Sequence, residues 1–194
     1  MLVGANDGAE LKSKSYSQFK YICAIEPNAD LNHELKMNLS KYPKYDIFNF
    51  AAGEVLEHTN LYLASNNGQS SSLLKPMIHF NLAPQVKFTE EREVLVKRID
   101  SFVDKLNCPK VWVVDVQGFE LNVLKGAGDL LNFVEILYCE VNRGNVYQNC
   151  TQYKDLDAYL LTFGLCRVLI RWWGSWGDAL YIRKTSLYLK NKSK

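Results

Sequence analysis

Several sequence patterns that identify common enzymes and metalloproteins are missing from this chain. Its 3 histidines and 5 cysteines include no pair at the spacing of a metal site and no C-x-x-C motif. Neither G-x-S-x-G nor G-x-x-x-x-G-K-[ST] occurs, which excludes the usual serine hydrolase and the P-loop NTPase. Any chemistry must therefore come from a different set of residues.

The charge balance and the lengths of the apolar runs exclude further classes of protein. The net charge is +2, from 23 basic and 21 acidic residues, which argues against a protein that wraps nucleic acid. No apolar run approaches the roughly 20 residues needed to span a bilayer, and no secretory signal opens the chain. We therefore expect a cytoplasmic protein with no membrane span, whose cysteines are reduced and buried.

The length and the patterning predict one domain of alternating strands and helices. With 194 residues, 47% of them apolar, the chain suits a single domain at 1–184 followed by a basic tail at 185–194. Strand-like and helix-like segments alternate, which predicts a parallel sheet. The predicted strands are 2–3, 22–25, 45–52, 61–64, 93–99, 110–116, 134–140 and a hairpin of 166–170 and 179–183; the predicted helices are 9–20, 30–41, 100–106, 118–126 and 153–163.

The turn after the first strand is typical of a site that binds a nucleoside-bearing cofactor. Residues 4–8 read Gly-Ala-Asn-Asp-Gly and lead into a helix-competent segment. Glycine lets the backbone approach a ligand, and an acid at the end of the next strand, here Glu26, can bind ribose hydroxyls. The turn lacks the third glycine of a dinucleotide fold, so an ordinary turn stays the alternative.

Two acids, Asp115 and Glu140, are predicted to end neighbouring strands at the same edge of the sheet. A carboxylate there can bind a cofactor's amino group, act as a general base or hold a divalent metal ion. Helix capping or a salt bridge is the structural alternative for each.

Two predicted loops share this edge. The polar loop at 65–72, which includes Ser71 and Ser72, is either a lid or a surface excursion. The segment after Glu140, with Asn142, Arg143 and Tyr147, is placed to meet an acceptor.

Five segments together resemble the FkbM family of S-adenosylmethionine-dependent methyltransferases, in order and spacing, from residue 3 to about residue 165. They are Val3-Gly-Ala-Asn-Asp-Gly8, Ile25-Glu-Pro-Asn28, Ala51-Ala-Gly53, Ser71-Ser-Leu73 and Val114-Asp-Val-Gln-Gly-Phe-Glu-Leu-Asn-Val-Leu-Lys-Gly-Ala127. The last segment is the specific one. The usual N-terminal extension and the acid ahead of the glycine turn are absent.

This resemblance implies an α/β fold, a three-layer Rossmann-like sandwich whose mostly parallel seven-stranded sheet has its last strand antiparallel. It also implies O-methylation of a hydroxyl on a sugar or glycan, with S-adenosylhomocysteine as product. The cofactor would be bordered by Gly4, Ala5, Asn6, Asp7, Gly8, Glu26, Pro27, Asn28, Ala51, Ala52 and Asp115.

Asp115 and Glu140 are the candidate bases that take the proton of the acceptor, with Asp115 first. A Mg²⁺ ion held by the two carboxylates stays an alternative, although no metal is expected. Two other functions stay open: a NAD-dependent oxidoreductase, and a non-catalytic Rossmann-like module of a larger protein. Fusion to glycan-processing domains in the full-length protein is a separate expectation.

Overall fold

A computed structural model of the protein describes residues 1–185, so the predicted basic tail falls outside the described residues beyond its first position. The strands are β1 (Leu2–Val3), β2 (Tyr21–Ile25), β3 (Lys44–Phe48), β4 (Ala51–Ala52), β5 (Glu57–Ala64), β6 (Phe88–Lys97), β7 (Val111–Val114), β8 (Ile136–Asn142), β9 (Leu165–Trp173) and β10 (Trp176–Arg183). The α-helices are α1 (Asn32–Leu39), α2 (His79–Leu82), α3 (Glu120–Ala127) and α4 (Tyr153–Thr162).

Seven strands form the main sheet, in the order β3-β2-β1-β7-β8-β10-β9. Strands β3, β2, β1, β7 and β8 pair in parallel, and β10 is antiparallel to both of its neighbours, β8 and β9. The predicted mostly parallel sheet with an antiparallel last strand is therefore confirmed.

Helices cover both faces of the main sheet and make the three predicted layers. On one face, α3 and α4 bury Val123 and Leu156 against a core that contains Trp112 and Leu137. On the other face, Leu35 of α1 packs with residues from β1 and β2. No helix within residues 1–185 has the length and apolar character needed to cross a membrane.

The short first strand is held from both sides. Leu2 and Val3 pair with Ala24 and Ile25 of β2 and with Val113 and Val114 of β7. Leu2 faces one core and Val3 the other, so even two residues alternate as a central strand should. The turn that follows is thereby fixed at the carboxyl edge of the sheet.

The predicted strand at 45–52 is wrong as one element, because the chain changes sheets at residues 49–50. Strand β3 belongs to the main sheet, whereas β4 belongs to a second, three-stranded sheet in the order β4-β6-β5. At the break, the Asn49 side chain donates a hydrogen bond of 2.8 Å to the carbonyl oxygen of Glu26. After the switch, Ala51 and Ala52 pair with Val96 and Lys97 of β6.

The predicted helix at 9–20 is also wrong: the segment forms two short 3₁₀ helices, Ala9–Lys12 and Lys14–Tyr16. The Ser13 hydroxyl accepts the backbone N–H of Ser15, and the Ser17 hydroxyl donates to the Lys14 carbonyl. Such bonds compete with the helical backbone pattern. Two 3₁₀ helices, Ile99–Ser101 and Lys105–Asn107, likewise replace the predicted helix at 100–106.

Helix α3 touches the chain just beyond β4 at a glycine. A β-carbon at Gly126 would lie 1.9 Å from the carbonyl oxygen of Gly53, far inside van der Waals contact. Gly126 therefore sets the distance between α3 and the segment that carries Ala51 and Ala52.

We expect Gly126→Ala to lower the free energy of unfolding by about 1 to 3 kcal/mol, despite alanine's better helix propensity, because backbone must move to relieve the contact. Urea unfolding measures the change. The control is Asn122→Ala at a half-buried position of the same helix, where we expect a change within about 0.5 kcal/mol. A Gly126→Ala protein as stable as the wild type would contradict this packing.

Candidate active site

The carboxyl ends of β1, β2 and β7 open onto one cavity of about 310 Å³. Parallel α/β sheets bind ligands at this edge. The structure brings eleven of the predicted site residues into its lining: Gly4, Ala5, Asn6, Asp7, Glu26, Pro27, Ala51, Ala52, Ser71, Ser72 and Asp115. Gly8, Asn28, Glu140, Asn142, Arg143 and Tyr147 lie outside that lining.

The turn after β1 requires glycine at its first position. Gly4 has φ +78°, and a β-carbon there would lie 1.8 Å from the carbonyl oxygen of Asp115. The N–H groups of Gly4 and Ala5 both donate to the carbonyl of Ile25, at 3.0 and 3.1 Å. The backbone at the cavity floor is therefore pinned between β2 and β7.

Glu26 ties this turn to the segment that enters α1. Its two carboxylate oxygens accept the backbone N–H groups of Asn6 and Asn28, each at 2.8 Å. Burial raises the pKa of Glu26, and the two N–H donors oppose that shift. Each oxygen keeps a further acceptor site for a ligand hydroxyl.

Gly8 and Asn28 support the turn from behind the cavity wall. A β-carbon on Gly8 would lie 2.9 Å from a methyl carbon of Leu35, so Gly8 packs against α1. The Asn28 side chain accepts hydrogen bonds from the backbone of Asp30 and from the Arg92 guanidinium.

Asp115 lies one residue beyond the end of β7 and lines the cavity, as its position predicted. The expected position of Glu140 at a strand end is wrong, because β8 continues to Asn142 and Glu140 is buried inside it. Gln117 connects the two acids: its Nε2 donates to Asp115 Oδ1 at 2.7 Å and to Glu140 Oε2 at 2.6 Å. Burial, and then the negative charge of Asp115, raise the pKa of Glu140 well above its ordinary value.

The three residues predicted to meet an acceptor lie away from the cavity. Asn142 and Tyr147 are fully buried. The Arg143 guanidinium stacks 4.7 Å from the ring centre of Trp172, which also packs edge-on against Tyr153. None of the three side chains reaches the cavity.

The polar loop at 65–72 forms one wall of the cavity. The Asn6 side chain donates to the carbonyl of Asn67 at 3.0 Å, which joins this loop to the glycine turn. Gly68, Gln69 and Leu73, which sequence reasoning did not select, line the cavity beside the two predicted serines.

Other lining residues were also missed. Glu10, Gln117 and Phe119 all face the cavity. Gln117 and Phe119 lie within the segment at 114–127 that resembles the FkbM family. Their closeness to Asp115 in the sequence could therefore have identified them as site residues. Glu10 offered no such signal because it was assigned to a helix that does not form.

The charge of the cavity wall is of one sign. Among the residues that line it within 1–185, four are acidic, Asp7, Glu10, Glu26 and Asp115, and none is lysine, arginine or histidine. The described part of the chain also contains no group of three or more histidine, cysteine or acidic side chains placed to hold a metal ion. Burial raises the pKa of Glu10 to about 7 and also raises the pKa of Glu26, so the negative charge of this wall, which favours a ligand with positive charge, increases with pH.

Glu120 adds a further buried acid beneath this edge. Its Oε1 accepts the backbone N–H groups of Gly118 at 2.9 Å and Val116 at 3.3 Å, and its side chain is fully buried. Burial raises the pKa of Glu120 to about 7, and the charge of Asp115 adds to the increase.

This shift makes a prediction about stability and pH. Because the folded protein holds the Glu120 proton more tightly than the unfolded chain does, the free energy of unfolding should fall as the pH rises from about 4.5 to about 7. Glu120→Gln should reduce that fall by its own share, since other buried acids with raised pKa values also contribute, whereas the exposed control Glu57→Gln should leave it unchanged. Urea unfolding at a series of pH values measures both slopes, and equal slopes would contradict the assignment.

Comparisons with known proteins found matches in sequence and in structure. Residues 3–166 match the family model of the methyltransferase FkbM domain. The chain is 21% identical over 196 residues to the 2-O-methyltransferase NoeI of Sinorhizobium fredii (strain NBRC 101917 / NGR234), covering 95% of this chain and 79% of that protein. A crystal structure of the methyltransferase domain of bacterial CtHen1 matches 93% of this chain and 88% of its own, with 10% identity and a TM-score of 0.46. Since the family model spans most of the sequence, the chain belongs to the FkbM methyltransferase family.

Proposed function

We propose that this protein transfers a methyl group from S-adenosylmethionine to a hydroxyl of a sugar or glycan. The observation that carries the proposal is the wall of the cavity, which combines the predicted cofactor residues with four acids and, among the described residues, no basic side chain. S-adenosylmethionine carries a sulfonium and an ammonium group, and both are stabilised by nearby carboxylates.

The same charge pattern separates this proposal from a nicotinamide-dependent oxidoreductase. NAD carries a pyrophosphate, which sites bind through glycine-rich backbone at a helix start and often with basic residues. Here the segment after the glycine turn forms short 3₁₀ helices, and Asp7 and Glu10 face the cavity beside it. An anionic pyrophosphate would be repelled at that place.

Each part of the cofactor has candidate partners in the cavity lining. Glu26 would bind the ribose hydroxyls with the acceptor sites that its two backbone bonds leave free. Ala51, Ala52 and Phe119 would offer an apolar surface for the adenine ring. Asp115 would lie beside the methionine part of the cofactor and the methyl group.

S-adenosylmethionine supplies an electrophilic methyl group: the acceptor oxygen forms a bond to its carbon while the carbon–sulfur bond breaks and an uncharged thioether leaves. Aligning the oxygen with that bond is the main task of the site. The carboxylate of Asp115 would take the proton from the hydroxyl as the new bond forms. Glu140 is buried behind Gln117, which makes it the weaker candidate for this role.

Two features support a hydroxyl acceptor. The relative NoeI is named as a 2-O-methyltransferase. The cavity wall also presents two uncharged hydrogen-bonding side chains, Gln69 and Ser71, which suit a polyhydroxylated ligand.

Binding of S-adenosylhomocysteine tests the cofactor. We expect calorimetry to show binding to the wild type, and Glu26→Gln to weaken it about tenfold or more, because hydrogen bonds to a charged group are lost. The control Glu34→Gln changes an exposed acid on α1 and should leave the affinity unchanged. Tighter binding of NAD than of S-adenosylhomocysteine would refute the proposal, and binding of neither would favour a non-catalytic module.

Asp115→Asn tests the chemical step. With labelled S-adenosylmethionine and a panel of glycosides, we expect methyl transfer to fall by a factor of about 100 or more, since a positioned base contributes that much. The affinity for S-adenosylhomocysteine should change far less than the rate. Asp129→Asn, a change at an exposed carboxylate, is the control. Wild-type rates in Asp115→Asn would exclude Asp115 as the base.

A further inference from the structure

Gln117 has a backbone conformation that its residue type rarely adopts. Its φ is +57°, in the left-handed region that glycine and asparagine occupy more readily. Such conformations in residues with long side chains persist where the surrounding contacts fix them, and they occur often at functional sites. The contacts of Gln117 therefore need an explanation.

These contacts join four parts of the chain. The amide Nε2 donates to Asp115 after β7 and to Glu140 of β8, at 2.7 and 2.6 Å. The amide Oε1 lies 2.8 Å from the hydroxyl of the buried Tyr147. The backbone carbonyl of Gln117 accepts the Ser72 hydroxyl at 2.8 Å, which connects it to the loop wall.

The direction of the amide suits its neighbours. Asp115 Oδ1 accepts from the NH₂ group, whereas the Tyr147 hydroxyl lies 2.8 Å from the amide oxygen and 2.9 Å from the carbonyl oxygen of Ser70, with one proton for these two acceptors. Reversing the amide would place its oxygen against both carboxyl groups. Gln117 thus gives one N–H to each acid, and no other residue type of this length supplies two donors and an acceptor on one planar group.

We propose that Gln117 is a positioning residue of the methyl-transfer site, which holds the carboxylate of Asp115 towards the cavity by bridging it to Glu140. This inference rests on the proposed function, because it assigns the geometry of the same site. Gln117 does not react itself. It fixes the orientation of the group that takes the acceptor's proton, so that the carboxylate need not reorganise during the transfer.

The charge of Glu140 depends on its surroundings as well. The titratable groups around Asp115 and Glu140 are Glu10, Glu120, Tyr138, Cys139, Tyr147 and Asp178. Burial and the neighbouring acids raise the pKa of Glu140, and the N–H that Gln117 donates to it favours its ionised form. Removal of this donor should therefore raise the pH at which Glu140 ionises.

Sinefungin offers a direct probe, because this analogue carries an amine-bearing carbon in place of the methylated sulfur. Its amine would lie at the methyl position, beside Asp115. We expect calorimetry to show that the wild type prefers sinefungin to S-adenosylhomocysteine, and that this preference falls about fivefold or more in Gln117→Leu and Gln117→Gly. The affinity for S-adenosylhomocysteine itself should stay within about twofold.

The two variants separate positioning from folding. Glycine relieves the left-handed backbone, so Gln117→Gly should melt at or above the temperature of Gln117→Leu while it still loses the preference for the amine. The preference for sinefungin over S-adenosylhomocysteine should also be measured between about pH 5 and about pH 9. We expect it to appear at a higher pH in both variants than in the wild type. The control is Gln85→Leu, at an exposed position.

The outcomes are distinguishable. An unchanged preference and pH dependence in both Gln117 variants would overturn this inference and leave the proposed function intact. An equal loss of affinity for both analogues would also overturn it, since it would show a general structural role. If neither analogue binds the wild type, the proposed function is wrong and this inference is overturned with it.

Discussion

The crowding of carboxyl groups at one edge of the main sheet is the constraint on which the site depends. Glu26, Glu120 and Glu140 are buried there, and Asp115 lies beside them. Burying acids close together is costly unless each is hydrogen-bonded or neutralised. Here the compensation comes from N–H donors: Glu26 accepts two backbone groups, Glu120 two more, and Glu140 the amide of Gln117.

This form of compensation determines where the loops lie. The donors to Glu26 belong to the glycine turn and to the entry of α1, and the donors to Glu120 belong to the turn between β7 and α3. Each acid therefore fixes the backbone of a connection that borders the cavity. Burial raises the pKa of all three acids, so the same groups that order the loops change their charge with pH.

The parts of the fold that follow apolar patterning were predictable from the sequence. The continuous apolar runs gave β2, β7 and β8 close to their observed positions, and the turn at 4–8 gave the location of the cavity. The errors have local causes. Hydrogen bonds between serine side chains and the backbone compete with an α-helix within 9–20. The predicted strand at 45–52 changes sheets where the Asn49 side chain donates a hydrogen bond to the carbonyl oxygen of Glu26.

The acceptor side was less predictable for a different reason. Glu140 was placed at a strand end, but pairing with β10 extends β8 past it, with Asp178 opposite Glu140 and Trp176 opposite Asn142. A strand from the far end of the sequence therefore decides which side chains of β8 are buried, and no pattern near residue 140 contains that information. The proposed cofactor positions follow one turn and its neighbouring strand ends, whereas the positions of the residues predicted to meet an acceptor depend on long-range pairing. Residues such as Gln117, whose role depends on contacts with four segments, are thus found only from the folded arrangement.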